Sequence, residues 1–416
     1  MKLKYGVEEL EFDFNRLPAA EILEPNEQEG LKKPLDRVSE RLKNPLGTKP
    51  LVELAKQKEP EQVVIVVNDV SRPTPYQDLL PPLLAELEEA GVTKNEITFV
   101  IATGIHDPNT AEENEEIFGK WLAQGYQFVS HNPDQDLVDL GKLSSGNQLK
   151  VNRKAIEADL LITIGVIAPH YFAGFSGGRK SILPGIAGRD SIQFNHAKMV
   201  QLIGNLPPVE ENPVNLEMIE AARKAEVDFI LNVVTNSKKE IVEVVAGDLE
   251  QAWYTGVETS AQMYQVPISQ KADLTLVSAG GYPKDINVYQ AQKALDNANA
   301  ATKAGGTVIL VAECKDGLGE EIFAEWINDS QAPEDNIDRI KERFVLGGHK
   351  AFAISKVVLD KEFLLISGLS QELSEALFAK KVGAIDEALT YVEEKYGADY
   401  QTVIMPQGGL TVPVIR

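Results

Sequence analysis

The sequence predicts an α/β protein of two α/β domains, each built on a largely parallel, helix-covered sheet. Short β-branched apolar runs, such as residues 63–67 and 97–102, alternate with longer amphipathic stretches along the chain, and this alternation is typical of parallel sheets covered by helices. The length of 416 residues also exceeds the roughly 250–300 residues that one hydrophobic core supports. We therefore place a first domain at residues 1–266 and a second at residues 267–416.

Hydrophobic periodicity gives the elements of the first domain. We expect its strands at residues 63–67, 97–102, 128–130, 160–167, 229–234 and 240–245. We expect its helices at residues 76–90, 191–203, 215–225 and 249–264, of which the last, with residues 265–267, is the candidate linker. The first of these helices is followed by Gly91, and glycine commonly terminates helices.

The second domain repeats the alternation. Strands are expected at residues 274–278, 307–312, 363–367 and 402–405, and a helix at residues 287–303 that Gly305 and Gly306 close. The closing segment, residues 407–416, is a candidate for packing back on the first domain.

Charge and composition exclude several classes of protein. The 63 acidic against 41 basic residues give a formal net charge of −22, which disfavours nucleic acid and anionic membranes as partners. Cys314 is the single cysteine, so the chain forms no internal disulfide and no cysteine-based zinc cluster. No apolar run reaches the roughly 20 residues that span a bilayer, and the first residues do not resemble a signal peptide. We expect a cytoplasmic protein.

A glycine-rich loop between residues 169 and 199 concentrates reactive side chains. It carries Lys180, with His170 before it and His196 after it, and it follows the predicted strand at residues 160–167. Open α/β sheets bind ligands at the carboxyl ends of their strands, so we place the active site here. The glycines allow positive φ angles and a close approach of the backbone to a ligand.

Two plainer interpretations of this loop stay open. Glycine-rich loops with one lysine are most often surface connections. The segment at residues 174–181 also approaches the phosphate-binding pattern G-x-x-x-x-G-K-[ST], but Arg179 stands where the second glycine belongs, and Pro184 disfavours a helix after Lys180. A nucleotide phosphatase of the P-loop type is therefore the alternative.

Two further predicted strands end in polar residues. Asp69 and Arg72 follow residues 63–67, and His106 follows residues 97–102. If these strands are parallel neighbours, the side chains meet His170 and Lys180 in one cleft. Taken singly, each has a structural explanation: a turn or helix cap for Asp69, a surface ion pair for Arg72 and a satisfied hydrogen bond for each histidine. His131 and His349 are expected to be structural.

The second domain offers one candidate site, where a strand runs into a helix at residues 280–293. Asn287 is the expected N-cap, which places Gln290 and Lys293 on one helix face. A helix N-terminus beside a lysine favours a carboxylate or a phosphate. An exposed lysine on a solvated face is the alternative.

These motifs together resemble one family. The sequences NDVSRPTP, ATGIHDP, APHYFAGFSGGRKSILPGIA, FNH and GGYPKDINVYQAQKAL, in this order, are similar to those of the nickel-dependent lactate racemase family of 2-hydroxyacid racemases and epimerases. The similarity extends over essentially the whole chain.

The resemblance implies a cofactor and its holders. Lys180 would be covalently joined to a nickel pincer, the nickel-pyridinium-3,5-bisthiocarboxylate mononucleotide, which cofactor-biosynthesis proteins supply. His196 would complete a square-planar nickel site, so that nickel is held by His196 and, through the attached cofactor, by Lys180. The site would lie in the cleft between the two domains.

The resemblance also assigns the remaining residues. His106 and His170 would be the paired proton donor and acceptor. Contacts to the cofactor would come from Asp69, Val70, Ser71 and Arg72, and contacts to the substrate from Arg72, Tyr289, Gln290 and Lys293.

The implied reaction is the interconversion of D- and L-lactate. One histidine takes the hydroxyl proton while C2 delivers hydride to the cofactor, and the 2-keto acid then accepts the hydride on its other face. Each face needs its own proton carrier, and imidazole is suited to this role near neutral pH. Malate, a longer aliphatic acid or a sugar acid are alternative substrates, and a non-catalytic cofactor carrier is the alternative of another class.

Overall fold

The computed structural model describes residues 1–202 and 206–415. It contains two compact units. The central unit comprises Glu27–Lys198 and Pro207–Ala261, and the terminal unit comprises Met1–Asn26, Met199–Leu206 and Gln262–Arg416. This division differs from the predicted first domain at its start, because the first 26 residues belong to the terminal unit.

Twenty strands and fifteen α-helices are assigned in the described residues. The strands in chain order are β1 (Lys2–Tyr5), β2 (Glu8–Glu11), β3 (Ala20–Ile22), β4 (Val63–Asn68), β5 (Ile97–Ala102), β6 (Gln127–Ser130), β7 (Leu137–Lys142), β8 (Gln148–Asn152), β9 (Leu160–Val166), β10 (Pro169–His170), β11 (Gly174–Phe175), β12 (Phe229–Thr235), β13 (Ile241–Gly247), β14 (Gln265–Ile268), β15 (Ala272–Ser278), β16 (Thr302–Val311), β17 (Glu362–Ile366), β18 (Lys380–Lys381), β19 (Thr402–Met405) and β20 (Val412–Ile415). The helices are α1 (Pro34–Lys43), α2 (Leu51–Lys58), α3 (Tyr76–Glu89), α4 (Ala111–Phe118), α5 (Lys120–Ala123), α6 (Arg153–Ile156), α7 (Arg189–Ala197), α8 (Pro213–Lys224), α9 (Gln251–Tyr264), α10 (Val288–Ala301), α11 (Glu321–Asp329), α12 (Pro333–Glu342), α13 (Gly348–Asp360), α14 (Gln371–Ala376) and α15 (Ile385–Tyr396).

The central unit is built on a six-stranded sheet in the order β13-β12-β9-β4-β5-β6. All neighbours are parallel except β12 and β13. If these six strands are numbered in chain order and the sheet is read from β6, the strand order is 3-2-1-4-5-6. This is the doubly wound arrangement, whose connections reverse direction between β4 and β9. The run Val63, Val64, Ile65, Val66 and Val67 is buried throughout, as expected of a parallel strand that is covered on both faces.

The terminal unit has its own six-stranded sheet, in the order β18-β17-β16-β15-β19-β3, with every pair parallel. The N-terminal segment belongs to this unit for two reasons. Strand β3 pairs with β19, and Leu3, Phe12 and Leu17 are buried in the core beneath the sheet.

The predicted linker and the closing segment form one small sheet. The linker residues 265–267 fall within β14, which pairs in parallel with β20. Both strands belong to the terminal unit. The backbone pairing of β20 is thus made within the terminal unit, to the strand that contains the predicted linker residues.

Most predicted helices are confirmed with shifts of a few residues at their ends. The helix expected at residues 191–203 is α7 followed by a 3-10 turn at Lys198–Gln201, and its predicted last residue, Ile203, lies outside the described residues. The helix expected to reach residue 303 ends at Ala301, because Thr302 already begins β16. In the part of the chain that is described, no helix has both the length and the apolar character needed to cross a bilayer.

Candidate active site

Three neighbouring strands of the central sheet end in polar residues. Asp69 follows β4, His106 lies in the loop after β5, and His170 closes β10, just after β9. Strand β4 pairs in parallel with both β5 and β9, so the carboxyl ends of the three strands lie side by side. The predicted neighbour relationship is confirmed. It coincides with the reversal of strand order, where α/β sheets of this type bind ligands.

Asp69 and His106 form a hydrogen-bonded pair across these strand ends. The Nδ1 atom of His106 lies 2.7 Å from Oδ2 of Asp69, and Oγ of Ser71 donates to Oδ1 of Asp69 at 2.7 Å. Burial opposes ionisation of Asp69, but the hydrogen bonds from His106 and Ser71 and the positive charge of Arg72 outweigh it and lower its pKa. The ionised carboxylate accepts a hydrogen bond from Nδ1–H of His106 and so favours the tautomer in which Nε2 carries the lone pair.

Residues 69–72 form a tight turn around this pair. The N–H of Arg72 donates to the carbonyl of Asp69 at 3.1 Å, and the N–H of Val70 donates to Oδ1 of Asn109 at 3.3 Å. The guanidinium of Arg72 is exposed and contacts the carbonyl of Ser71 at 3.3 Å. An exposed guanidinium keeps its paired N–H donors available for a carboxylate.

The glycine-rich loop does not form a P-loop. After β9 the chain makes the short hairpin β10–β11 and then a 3-10 turn, Gly178–Ser181, which contains Lys180. A P-loop lysine instead stands at the start of an α-helix directly after a strand. The geometry therefore disfavours the nucleotide phosphatase.

Two glycines let this loop approach β12 closely. Gly177 has a φ of +76°, and a side-chain carbon there would lie 2.6 Å from Oδ1 of Asn232. The N–H of Gly178 donates to the same oxygen at 2.9 Å. Asn232 is fully buried within β12, so one polar side chain in an apolar strand fixes the loop against the sheet.

Buried hydrogen bonds from Arg179 stabilise the conformation of the loop. Its side chain is buried, with only 1% exposed, and it donates to Oδ1 of Asn215 at 2.7 Å, to the carbonyl of Gly177 at 3.1 Å and to the carbonyl of Ala173 at 2.9 Å. The guanidinium also lies 3.9 Å from the ring centre of Trp253. The residue that breaks the P-loop pattern is therefore the one that determines the shape of this loop.

Phe172 brings three predicted site residues together. Its ring centre lies 4.6 Å from that of His170 and 4.9 Å from that of His196. Nζ of Lys180 lies 5.5 Å from the same ring. The lysine and both histidines of the glycine-rich segment thus surround one aromatic side chain.

The environment of this group disfavours additional positive charge. Burial and the charges of Arg179 and Arg72 hold the pKa of Lys180 well below its usual value. Burial and the charges of Lys180 and Arg72 likewise hold the pKa of His170 well below normal. Burial and Lys180 lower the pKa of His196 to about 3, against a backbone hydrogen bond with Ile192. At neutral pH both imidazoles are neutral, and the lysine amine is shifted towards its nucleophilic form.

The chemistry of His196 is that of a metal ligand. Within residues 1–202 and 206–415, no three His, Cys, Asp or Glu side chains are grouped so that they would hold a metal ion. Neutral imidazole is the form that ligates metals, and His196 is buried and neutral beside Lys180. One histidine suffices for a metal whose other donors arrive with an organic group.

The predicted substrate residues of the terminal unit lie at the start of α10. Asn287 caps this helix through a hydrogen bond from the N–H of Gln290 at 3.0 Å, as predicted. The N–H groups of Val288 and Tyr289 donate to the carbonyls of Gly317 and Leu318. The backbone donors of this N-terminus are therefore already used, which contradicts the expectation that they bind an anion.

Two lysine side chains lie near the first turns of α10. Lys293 is exposed, and its Nζ donates to Oε1 of Gln290 at 3.2 Å. The buried Lys350 donates to the carbonyl of Tyr289 at 2.5 Å and lies 4.1 Å from the centre of its ring. Lys350 thus orients the first turn of α10, a role that the sequence did not predict.

The expectation for His131 is confirmed. His131 is buried, its Nε2 lies 2.9 Å from the carbonyl of Ala187, and burial lowers its pKa to about 4. His349 accepts a hydrogen bond from the N–H of Gly347 through Nδ1. Of the residues that sequence reasoning missed, Asn232 had the clearest signal, as a single amide in the apolar run FILNVVT.

Both halves of the chain match known domain families. Residues 5–204 match the lactate racemase N-terminal domain, and residues 268–414 match the lactate racemase C-terminal domain.

Two relatives extend this match over nearly the whole chain. The lactate racemase of Thermoanaerobacterium thermosaccharolyticum is 37% identical over 384 residues, which cover 90% of this chain and 89% of the relative. The lactate racemase of Lactiplantibacillus plantarum is 34% identical over 395 residues, which cover 92% and 90%.

Two solved structures match the fold of this chain. The lactate racemase apoprotein from T. thermosaccharolyticum superposes with a TM-score of 0.90 at 34% identity, covering 100% of this chain and 99% of that one. A protein from Thermotoga maritima shares the fold, with a TM-score of 0.65 at 19% identity and coverage of 94% and 100%. With its sequence matched in both domains and its fold matched along its length, the chain belongs to the lactate racemase family of isomerases.

Proposed function

We propose that this protein interconverts D- and L-lactate with a nickel pincer nucleotide attached to Lys180. The observation that carries the proposal is the grouping of Lys180, His170 and His196 around Phe172, on a sheet edge that also carries the Asp69–His106 pair. The relatives named as lactate racemases support the choice of substrate.

Lys180 and His196 are the proposed holders of the cofactor. The lowered pKa of Lys180 favours a neutral amine that can bond covalently to an acyl or thioacyl carbon. The neutral imidazole of His196 supplies one nickel ligand. When bound, the cofactor supplies a reversible acceptor for hydride from C2 of the substrate.

His106 and His170 are the proposed proton carriers. In each direction one histidine starts neutral and takes the hydroxyl proton, and the other starts protonated and gives a proton to the opposite face, so that the two exchange protonation states in one turnover. Asp69 holds Nδ1–H of His106, so that Nε2 is the atom that exchanges the proton. In this scheme Arg72 binds the substrate carboxylate, and Tyr289, Gln290 and Lys293 are the further substrate residues.

The test is turnover of a panel of single-enantiomer acids: lactate, malate, a longer aliphatic 2-hydroxy acid and a sugar acid. Protein co-produced with the cofactor-building proteins is incubated with each acid, and the products are separated by chiral chromatography. We expect rapid inversion of lactate. Faster inversion of another acid would assign that acid instead, and no inversion by protein loaded at Lys180 would favour a non-catalytic carrier.

Replacing Asp69 by asparagine tests the orientation of His106. The amide has no negative charge to hold a proton on Nδ1, so the base at Nε2 is lost in part of the molecules. We expect kcat to fall about 10²- to 10⁴-fold, because losing the carboxylate that sets the tautomer of a catalytic imidazole costs about as much as losing the imidazole itself. The control is Asp78→Asn, in the same unit at the start of α3.

The pH dependence of stability provides a second readout of the same pair. Because the folded-state pKa of Asp69 is lowered, its ionisation stabilises the protein above the unfolded-state value of about 3.9, and this contribution disappears as pH falls through the folded-state pKa. The stability gap between wild type and Asp69→Asn should therefore be largest near neutral pH. An equal gap at pH 3 and pH 7 would contradict this contribution of the Asp69 carboxylate.

A further inference from the structure

A buried carboxylate lies against the end of the helix that carries His196. Glu217, on α8, is only 3% exposed. It accepts hydrogen bonds from Nδ2 of Asn195 at 2.6 Å, from Nζ of Lys198 at 2.8 Å and from Oγ of Ser145. A buried charge is costly unless it is paired and hydrogen-bonded, and these three donors meet both requirements.

The contacts of Glu217 fall on both sides of His196. Asn195 precedes the histidine, and Lys198 follows it by two residues, so two bonds to one carboxylate enclose the turn that presents the imidazole. Asn195 also donates to the carbonyl of Val214 at 3.3 Å, which ties the same turn to the start of α8.

The other end of α7 is held separately. Oγ of Ser191 donates to the carbonyl of Gln148 at 2.6 Å, and Nδ2 of Asn147 donates to the carbonyl of Ser191 at 3.0 Å. With its first turn bonded to the β8 region and its last turn to Glu217, this nine-residue helix is fixed at both ends. A helix of that length gains little stability on its own.

We propose that Glu217 is a positioning residue, which holds the last turn of α7 so that the imidazole of His196 faces the site of Lys180. The proposal rests on the proposed role of His196 as a metal ligand. A ligand that is the protein's single direct donor depends on neighbouring groups for its orientation.

The first test uses the protein loaded with cofactor and the variant Glu217→Gln. Glutamine has the shape of glutamate but lacks the negative charge that pairs with Lys198. Its NH₂ group would also face partners that donate hydrogen bonds to residue 217. We expect normal attachment at Lys180 by peptide mass spectrometry, and nickel retention against EDTA that is about 10- to 100-fold weaker. Glu86→Gln is the matched control, because Glu86 is another buried carboxylate of this unit paired with a lysine, Lys43.

A second test uses the protein without cofactor and therefore does not depend on the proposed function. Diethyl pyrocarbonate modifies neutral imidazoles that reagent can reach. We expect His196 to be modified at least several-fold faster in Glu217→Gln than in wild type, while the buried His131 stays protected. If Glu217→Gln fails to fold, Lys198→Met, which removes one partner near the surface, should produce the same direction of change.

The possible results distinguish the positioning role of Glu217 from the nickel-ligand role of His196. Unchanged nickel retention and unchanged modification of His196 in a folded variant would overturn the role of Glu217. Wild-type nickel retention in His196→Ala would instead overturn the ligand role of the histidine, and the modification rates would still decide whether Glu217 positions it.

Discussion

Replacing Lys180 by alanine is expected to abolish covalent cofactor attachment and, with it, all racemase activity. The amine is the only atom of this side chain that can form the bond, and its environment favours the neutral, reactive form. Protein co-produced with the cofactor-building proteins is analysed by intact mass and by peptide mapping. The wild type should carry a single adduct at Lys180, and the variant should carry none.

Two further variants make this result specific. Lys180→Arg preserves the positive charge but provides no amine of comparable reactivity, so it should also remain without an adduct. Lys154→Ala removes an exposed lysine of the same unit and should load normally. An adduct at any position of the Lys180→Ala protein would contradict the proposed attachment of the cofactor at Lys180.

Replacing either His106 or His170 by glutamine is expected to slow racemisation in both directions by about 10²- to 10⁴-fold, the usual contribution of general acid–base catalysis. Inversion in either direction must use both proton carriers, so the loss of one blocks the complete cycle. The measurement is chiral chromatography of lactate, with attachment at Lys180 verified for each variant. His131→Gln should reduce thermal stability and leave kcat close to wild type.

A quench experiment distinguishes the two histidines. In each variant the remaining imidazole still accepts the hydroxyl proton of one enantiomer. Acid quenching after a single turnover should therefore release the 2-keto acid from that enantiomer alone, and the two variants should select opposite enantiomers. Release from both enantiomers by either variant would contradict the division of roles.

Much of the central fold was predictable because its strands are continuous apolar runs. Strand β5 coincides with its predicted range, and β4 and β9 differ from theirs by one residue. The β7–β8 hairpin was missed, since its strands are short and interrupted by Asp139, Gly141 and Lys150. The grouping of residues 1–26 with the terminal unit was not predicted, because the pairing of β3 with β19 joins segments separated by nearly the whole sequence, and no local pattern encodes such a pairing.

The candidate site was predictable only in part for the same physical reason. The side chains that follow strand ends, such as Asp69, His106 and His170, could be grouped once parallel strands were inferred. The direct bond between Asp69 and His106 could not be inferred, because it depends on the conformation of two loops. Buried partners such as Arg179 and Glu217 look from the sequence like ordinary surface charges.

The interior position of Arg179 also determines when the glycine-rich loop becomes ordered. Its guanidinium bonds to Asn215 and to the carbonyls of Gly177 and Ala173, so these contacts are complete within the chain itself. The conformational entropy of ordering the loop is therefore lost during folding, and an arriving ligand meets a surface that is already rigid. Such a ligand binds with a smaller entropic penalty, and the same rigidity narrows the range of molecular shapes that the loop accepts.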